Sequence, residues 1–383
     1  MTKPIRRRDF LRLAALGGSA AFLQSCAEAG VDPATLAPTI AIPSATSAPI
    51  DPTATQVPPL TPLEPTMTTP LPTSAPTQAV QDGVARIAFV KTTDRAAGVR
   101  QAVELLGINP VTNQTVFLKP NFNSADPTPG STHPDVLAAL VTLLKEMGAS
   151  KITVGDRSGM GDTRAVMDQL GVFRLAEQLG FEAIVFDELA AEDWVMIENA
   201  GGHWQQGFPF ARPALDAGAI VQTCCLKTHQ YGGHFTLSLK NSVGLVGKRI
   251  QAVDHDFMNE LHGSDHQRRM IAEINAAYTP ALVVMDGIDA FISGGPHRGE
   301  LVSPGVIMAG TDRVALDAVG VALLRQHGCQ TQAAQGRIFE QEQIARAVEM
   351  GLGIDGPEKI EFVTADPESA AYAEQIKQAL LAG

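Results

Sequence analysis

Cysteine is scarce in this chain, with four in 383 residues. No two stand in a CxxC spacing, so no four-cysteine zinc or iron–sulfur site is encoded within the sequence. Cys224 and Cys225 are adjacent, and a bridge between neighbours closes a strained ring. At the end of an apolar run they read instead as small buried hydrophobes. Aromatic residues make up only 5%, which argues against the stacking platforms of single-strand nucleic-acid binders. The formal net charge of −12 argues in the same direction, because a phosphate backbone calls for an excess of cations. No HExxH pair, nucleophile-elbow glycines or Ser–His–Asp order occurs, which disfavours zincins and standard hydrolases. The apolar run from Leu13 to Leu23 has eleven residues, too few to span a bilayer as a helix.

That short run instead suits the core of a signal peptide. It follows Arg7-Arg8-Asp9-Phe10-Leu11-Arg12, which has the twin-arginine form, and precedes Leu23-Gln24-Ser25-Cys26, which resembles a lipoprotein cleavage box. The expectation is export in the folded state and a lipid on Cys26. Lys and Arg are then missing from Val31 to Asp82, a stretch holding 12 of the 25 prolines and 11 threonines. Such a tract buries too little apolar surface to order itself and reads as an extended tether. The expected organisation is a signal over residues 1–26, a tether over 27–83 and a folded head over 84–383. The protein would then be held by its lipid on the extracytoplasmic face of the membrane.

From Ala85 onward, strand-like runs at Ala85–Lys91, Thr115–Lys119, Lys151–Asp156, Glu182–Asp187, Ala219–Leu226, Ala281–Asp286, Gly305–Ala309 and Lys359–Thr364 alternate with helical periodicity. The helical stretches are Ala96–Leu106, Pro134–Met147, Arg164–Leu179, His266–Tyr278, Arg313–His327, Gln335–Met350 and Glu368–Leu381. This alternation predicts one large α/β domain, a largely parallel sheet with flanking helices. Ligands of such sheets sit beyond the carboxyl ends of the strands, which selects Lys119, Asp156, Lys227 and Asp286.

The densest chemistry lies between Cys224 and Arg249, where Lys227, His229, His234, Lys240, Asn241, Lys248 and Arg249 are interleaved with apolar residues. Cations held among hydrophobes in an acidic chain point to an anionic ligand or a buried acidic partner. Lys240, on a largely apolar helical run, is a candidate base or nucleophile, because desolvation lowers a lysine pKa; a plain salt bridge to Asp286 or Asp312 is the alternative. The loop from Lys119 through Asn121 to His133 leads into a helix opened by Pro134, which offers an anion cradle or simply a well-capped connection. Gly155, Gly159 and Gly161 around Asp156 permit close backbone approach but fit neither the dinucleotide fingerprint nor the P-loop. His262 and His266 are four apart, a spacing that can bind a metal, although Gly263 interrupts the run.

Lys119-Pro120-Asn121, Thr132-His133-Pro134, Lys227-Thr228-His229, Lys240-Asn241 with Gly244, Asp286-Gly287-Ile288 with Gly295-Pro296, and Val314 to Val319 follow one another in an order that resembles the domain of unknown function 362 family. The resemblance spans about Ala85 to Gln326. Many members carry an appended ferredoxin-like domain with cysteine ligands. No such cysteine set stands here, so the resemblance implies the α/β domain without that electron-transfer module.

The expected function is an enzyme acting on a small anionic ligand, a carboxylate or a phosphate. Lys119, Asn121, Lys227, Asn241 and Lys248 would bind it, and Lys240 with His133, His229 or His234 would move protons. Asp156 or Asp286 would orient a lysine or a metal. A non-catalytic solute-binding or sensing lipoprotein, and a metal-dependent oxidoreductase, are the competing readings. The sequence specifies no cofactor.

Overall fold

From β1 onward the alternation of strands and helices is realised as one α/β domain, seen in a computed structural model that describes residues 83–251 and 253–383. The expected signal, Cys26 and all but the last residue of the expected tether lie outside the described residues. The strands are β1 (Ala85–Lys91), β2 (Thr115–Lys119), β3 (Lys151–Asp156), β4 (Glu182–Val185), β5 (Trp194–Ile197), β6 (Phe208–Ala211), β7 (Ala219–His229), β8 (His234–Thr236), β9 (Leu282–Gly294), β10 (Gly299–Val302), β11 (Val306–Gly310) and β12 (Ile360–Val363). The helices are α1 (Arg95–Leu106), α2 (Pro134–Glu146), α3 (Thr163–Gln169), α4 (Val172–Leu179), α5 (Arg212–Leu215), α6 (Ser238–Asn241), α7 (Phe257–Gly263), α8 (Gln267–Ile274), α9 (Arg313–Gln326), α10 (Glu342–Glu349) and α11 (Pro367–Ala382). None is long and apolar enough to cross a membrane.

Eight strands run in the order β12-β1-β11-β9-β7-β2-β3-β4, and all are parallel except β11, which opposes both neighbours. Strands β8 and β10 extend the sheet as antiparallel partners of β7 and β9, while β5 and β6 form a separate hairpin.

Period-two alternation sends successive side chains to opposite faces. On one face Val116, Leu118, Val154, Val221 and Val284 pack against Val99, Val103, Leu140 and Leu144 of α1 and α2. On the other, Phe89, Leu226 and Met285 meet α9, and Phe117 and Ile220 meet the hairpin with α7 and α8. Helix α9 is buried from Arg313 to Leu324, as expected of a helix covered all round. Its Asp317 accepts hydrogen bonds from Ser238 N, Ser238 Oγ and Leu239 N at 2.5–3.1 Å. Burial pushes this carboxyl up to about 7. The contact fixes the single turn α6, and Lys240 with it.

Three departures from the sequence reading have local causes. The periodic stretch Arg164–Leu179 is two helices, because Gly171 takes a left-handed φ of 74°. The apolar helix expected around Lys240 is one α-turn followed by a 3-10 turn over Ser242–Leu245. Strands β7 and β9 run past the apolar stretches that announced them, to His229 and Gly294.

Candidate functional site

Strands β2 and β7 are neighbours, but the chain leaves β2 toward β3 and β4 and leaves β7 toward β9. A parallel sheet opens a crevice at such a switch point, beyond the carboxyl ends of the strands. A cavity of about 860 Å3 lies there, lined by Lys119 from β2, Asp156 from β3, His229 from β7, and by Lys240, Asn241 and Gly244.

Lys119, the last residue of β2, is 1% exposed. Its Nζ stands 2.7 Å from Asp156 Oδ1 and donates to Pro120 O at 2.6 Å. Asp156 also accepts from the backbone N–H of Phe122 and of Arg157, each at 2.7 Å. Burial pulls the Lys119 ammonium down and pushes the Asp156 carboxyl up, and each charge opposes the shift of the other. Three donors on one carboxylate favour the ion pair. Gly244 makes room for it, since a Cβ there would overlap Asp156 Oδ1 and stand 2.7 Å from Lys119 Nζ. Next in the chain, buried Arg157 donates to Val243 O and Val246 O at 2.7 Å, which ties the glycine loop to the turn after Lys240. No carboxylate lies within ion-pair distance of its guanidinium among the described residues.

The facing wall is built differently. Lys240 is 8% exposed, and its ammonium has no hydrogen-bond or ion-pair partner among the described residues. Burial, then the charges of Arg157 and Lys227, lower it to about 7. His229 is buried, and burial followed by the charges of Lys240 and Lys227 holds it well below the usual imidazole range, so it is neutral. Its Nδ1 is buried without a partner. Gly233 brings the two together, because a Cβ at that position would stand 2.8 Å from both His229 Nδ1 and Lys240 Cε. His262 also lines the cavity; its Nδ1 lies 2.7 Å from Met258 O and must donate to that carbonyl, which leaves Nε2 as an acceptor. Asn121 Oδ1, Asn123 Nδ2 and Thr236 Oγ1 are further buried atoms of this lining without a partner. Met160 and Tyr231, two exposed large apolar side chains, edge the opening.

Of the residues singled out by sequence, Lys119, Asn121, Asp156, His229, Lys240, Asn241 and Lys248 line this cavity. Lys248 stands at its edge, 3.7 Å from Asp187. Four others lie outside the lining. Lys227 is fully buried and donates to Gly130 O at 2.5 Å, while burial lowers it to about 8. His133 caps α2, accepting at Nδ1 from Asp135 N. Asp286 is paired with Arg95 at 2.8 Å rather than with Lys240, and Asp289 takes the other arm of that guanidinium at 2.7 Å. His234, at a φ of 61°, has Arg268, Gln341 and Glu342 around it. His262 and His266 do not converge, since His266 packs against the His203 ring. No three His, Cys, Asp or Glu among the described residues are grouped to hold a metal ion. Cys224, Cys225 and Cys329 are free and buried.

Arg157, Asn123, Asp187, Asp256 and Tyr231 line the cavity without having been selected. Arg157 follows the strand-end Asp156 directly, so allowing one further residue at each strand end finds it. Tyr231 stands between His229 and Gly232 in the turn joining β7 to β8. Asp187 and Asp256 carry no local signal.

A thylakoid-associated protein, sll1697, from Synechocystis sp. is 28% identical over 228 residues, covering 58% of this chain and 67% of its own length. A solved structure of loganic acid methyltransferase with SAH covers 74% of this chain and 68% of its own at 11% identity, with a TM-score of 0.22, too low for an argument in either direction. The profile of a domain of unknown function, DUF362, matches residues 116–322. That match spans β2 through most of α9 and takes in both walls of the cavity. The chain belongs to the DUF362 family.

Proposed function

We propose that this protein is an enzyme acting on a small anionic ligand, a carboxylate or a phosphate, at the crevice between β2 and β7. One observation carries the reading: the Lys240 side chain is 8% exposed, and its amine has no partner among the described residues and opens on a cavity whose other unpartnered groups are polar. A buried cation without a counter-charge is costly, and an anionic ligand supplies that charge. Arg157 adds to the attraction, while the Lys119 charge is already answered by Asp156. His229 and His262 are neutral imidazoles suited to accepting a proton.

The same cleft in a solute-binding protein would hold the anion unchanged. Calorimetric titration with succinate and with inorganic phosphate, followed by recovery of the ligand, separates the two readings. Binding is expected to be strongest below pH 7, where Lys240 is charged, and to fall by about tenfold or more in Lys240→Met. Binding of both anions unchanged in that variant sinks the proposal. The N-terminal residues support export by the twin-arginine route and a lipid on Cys26, and the relative's description as thylakoid-associated agrees with a place at a membrane. Intact mass of the mature chain is expected to show it beginning at a lipid-modified Cys26.

A further inference from the structure

We propose that the ligand is an anionic carbonyl compound of the 2-oxo acid class, and that Lys240 Nζ condenses with its carbonyl carbon to form an imine. The inference rests on the anion-binding reading and names the substrate class of that site. It follows from comparing three buried lysines at one end of the sheet. Lys119 Nζ is held by Asp156, Pro120 O and Asn241 Oδ1, so its lone pair is engaged as N–H bonds to acceptors. Lys227 Nζ donates to Gly130 O and does not line the cavity. Only Lys240 combines burial, an amine free of partners among the described residues and access to the cavity.

Acid–base chemistry agrees with the geometry. With its pKa lowered to about 7, Lys240 is about a thousandfold richer in free amine at pH 7 than a solvated lysine. No carboxylate among the described residues is paired with Lys240 to hold its proton. Arg157, whose charge is one cause of that lowering, remains to attract the carboxylate of the substrate.

The step balances without any redox partner. The amine lone pair forms the C–N bond, and a proton passes from nitrogen to the former carbonyl oxygen to give a carbinolamine. The C–O bond then breaks, that oxygen leaves as water with a second proton taken up from solvent and relayed to it, and the nitrogen, keeping its remaining hydrogen, becomes an iminium. Two proton transfers need a group that accepts and returns a proton beside Nζ. His229, neutral and unpartnered at Nδ1, shares with Lys240 Cε the space that a side chain at Gly233 would fill.

The test is reductive capture on the full-length mature chain. Pyruvate and sodium cyanoborohydride are added at pH 7, and the adduct is located by intact mass and peptide mapping. The expected result is one reduced pyruvyl adduct on Lys240, with capture falling by at least about tenfold in Lys240→Arg, which keeps the charge but has no nucleophilic amine. Lactate, which keeps the carboxylate and lacks the carbonyl, is expected to protect Lys240 without being captured. Because mapping is done on the unaltered protein, the result stands even if a variant folds poorly. Lactate or phosphate binding without capture overturns the imine and leaves the anion site intact. Neither binding nor capture overturns both, and adducts spread over surface lysines also overturn the imine.

Discussion

Lys119 and Lys240 face the same cavity and are nearly equally withdrawn from water, at 1% and 8% exposure, yet their walls are built in opposite ways. The Lys119 wall is closed on itself: its ammonium meets a carboxylate at 2.7 Å, and that carboxylate takes two backbone N–H groups. The Lys240 wall is open, with an amine and a neutral imidazole and no acid paired with either among the described residues. A closed pair contributes structure and a fixed field. An open amine contributes a proton that can come and go. The contrast assigns architecture to one wall and chemistry to the other.

Removing one partner from each wall breaks the comparison most forcefully. Asp156→Ala leaves Lys119 buried and unpaired and strips an acceptor from two backbone amides. It is expected to cost about 3–5 kcal/mol, read as a lower urea midpoint at constant slope. Lys240→Met replaces a buried, partnerless amine with an apolar group of similar length, and is expected to leave stability unchanged or raise it. Equal losses in the two variants would show that both walls are structural.

A pH series sharpens the difference. Lys240 titrates near 7 in the folded chain and near its ordinary value of 10.5 when unfolded. Between those values the unfolded state holds the extra proton, so stability rises with pH by up to about 1.4 kcal/mol per unit. Below 7 both states are protonated and the slope vanishes. Lys227, lowered to about 8, adds a slope of the same sign above that pH. The quantity to follow is therefore the difference between the unaltered chain and Lys240→Met from pH 6 to 9. A flat difference removes the free amine from the argument.

Glycine substitutions test the two walls more gently. Gly244→Ala drives a Cβ into the Lys119–Asp156 pair, which cannot yield without losing its hydrogen bonds, and is expected to cost about 1–3 kcal/mol. Gly233→Ala presses on His229 and on the Lys240 stem, which can swing toward the cavity. It is expected to cost less stability while weakening succinate binding. Thermal melts with and without succinate read both effects.

The sequence announced this layout unevenly, for reasons visible in the strands. Strands β1, β2 and β3 have the bounds their apolar runs predict, and there the carboxyl-end rule placed Lys119 and Asp156 beside each other. For β7 and β9 the rule misplaced the end. Polar Lys227, Thr228 and His229 continue β7, and β9 continues past Asp286-Gly287, so Lys227 and Asp286 lie within the strands, the one reaching Gly130 O and the other held by Arg95 from α1. The hairpin β5–β6 and strands β8 and β10 have three or four residues each, too short for a periodicity to form. Lys240 was recognisable as unusual from its apolar neighbours. Its lack of a paired acid among the described residues depends on residues from β3, β9 and α9 that no local pattern connects, because Asp156, Asp286 and Asp317 are each engaged elsewhere.

Lys248 supplies the smallest effect and a control for the larger ones. It lies at the cavity edge, about a third exposed, and Asp187 stands 3.7 Å away with the same exposure. An exposed pair at that distance gains little over water and is screened by salt. Lys248→Ala is therefore expected to change stability by no more than about 1 kcal/mol, with the difference vanishing at high ionic strength. Its influence on an incoming anion is long-range, so it should slow association at low salt and leave dissociation unchanged. Stopped-flow binding of a fluorescent dicarboxylate at two salt concentrations reads both. A salt-independent loss of affinity as large as that in Lys240→Met would place Lys248 on the ligand itself, and the division between a closed wall and an open one would have to be redrawn around the cavity edge.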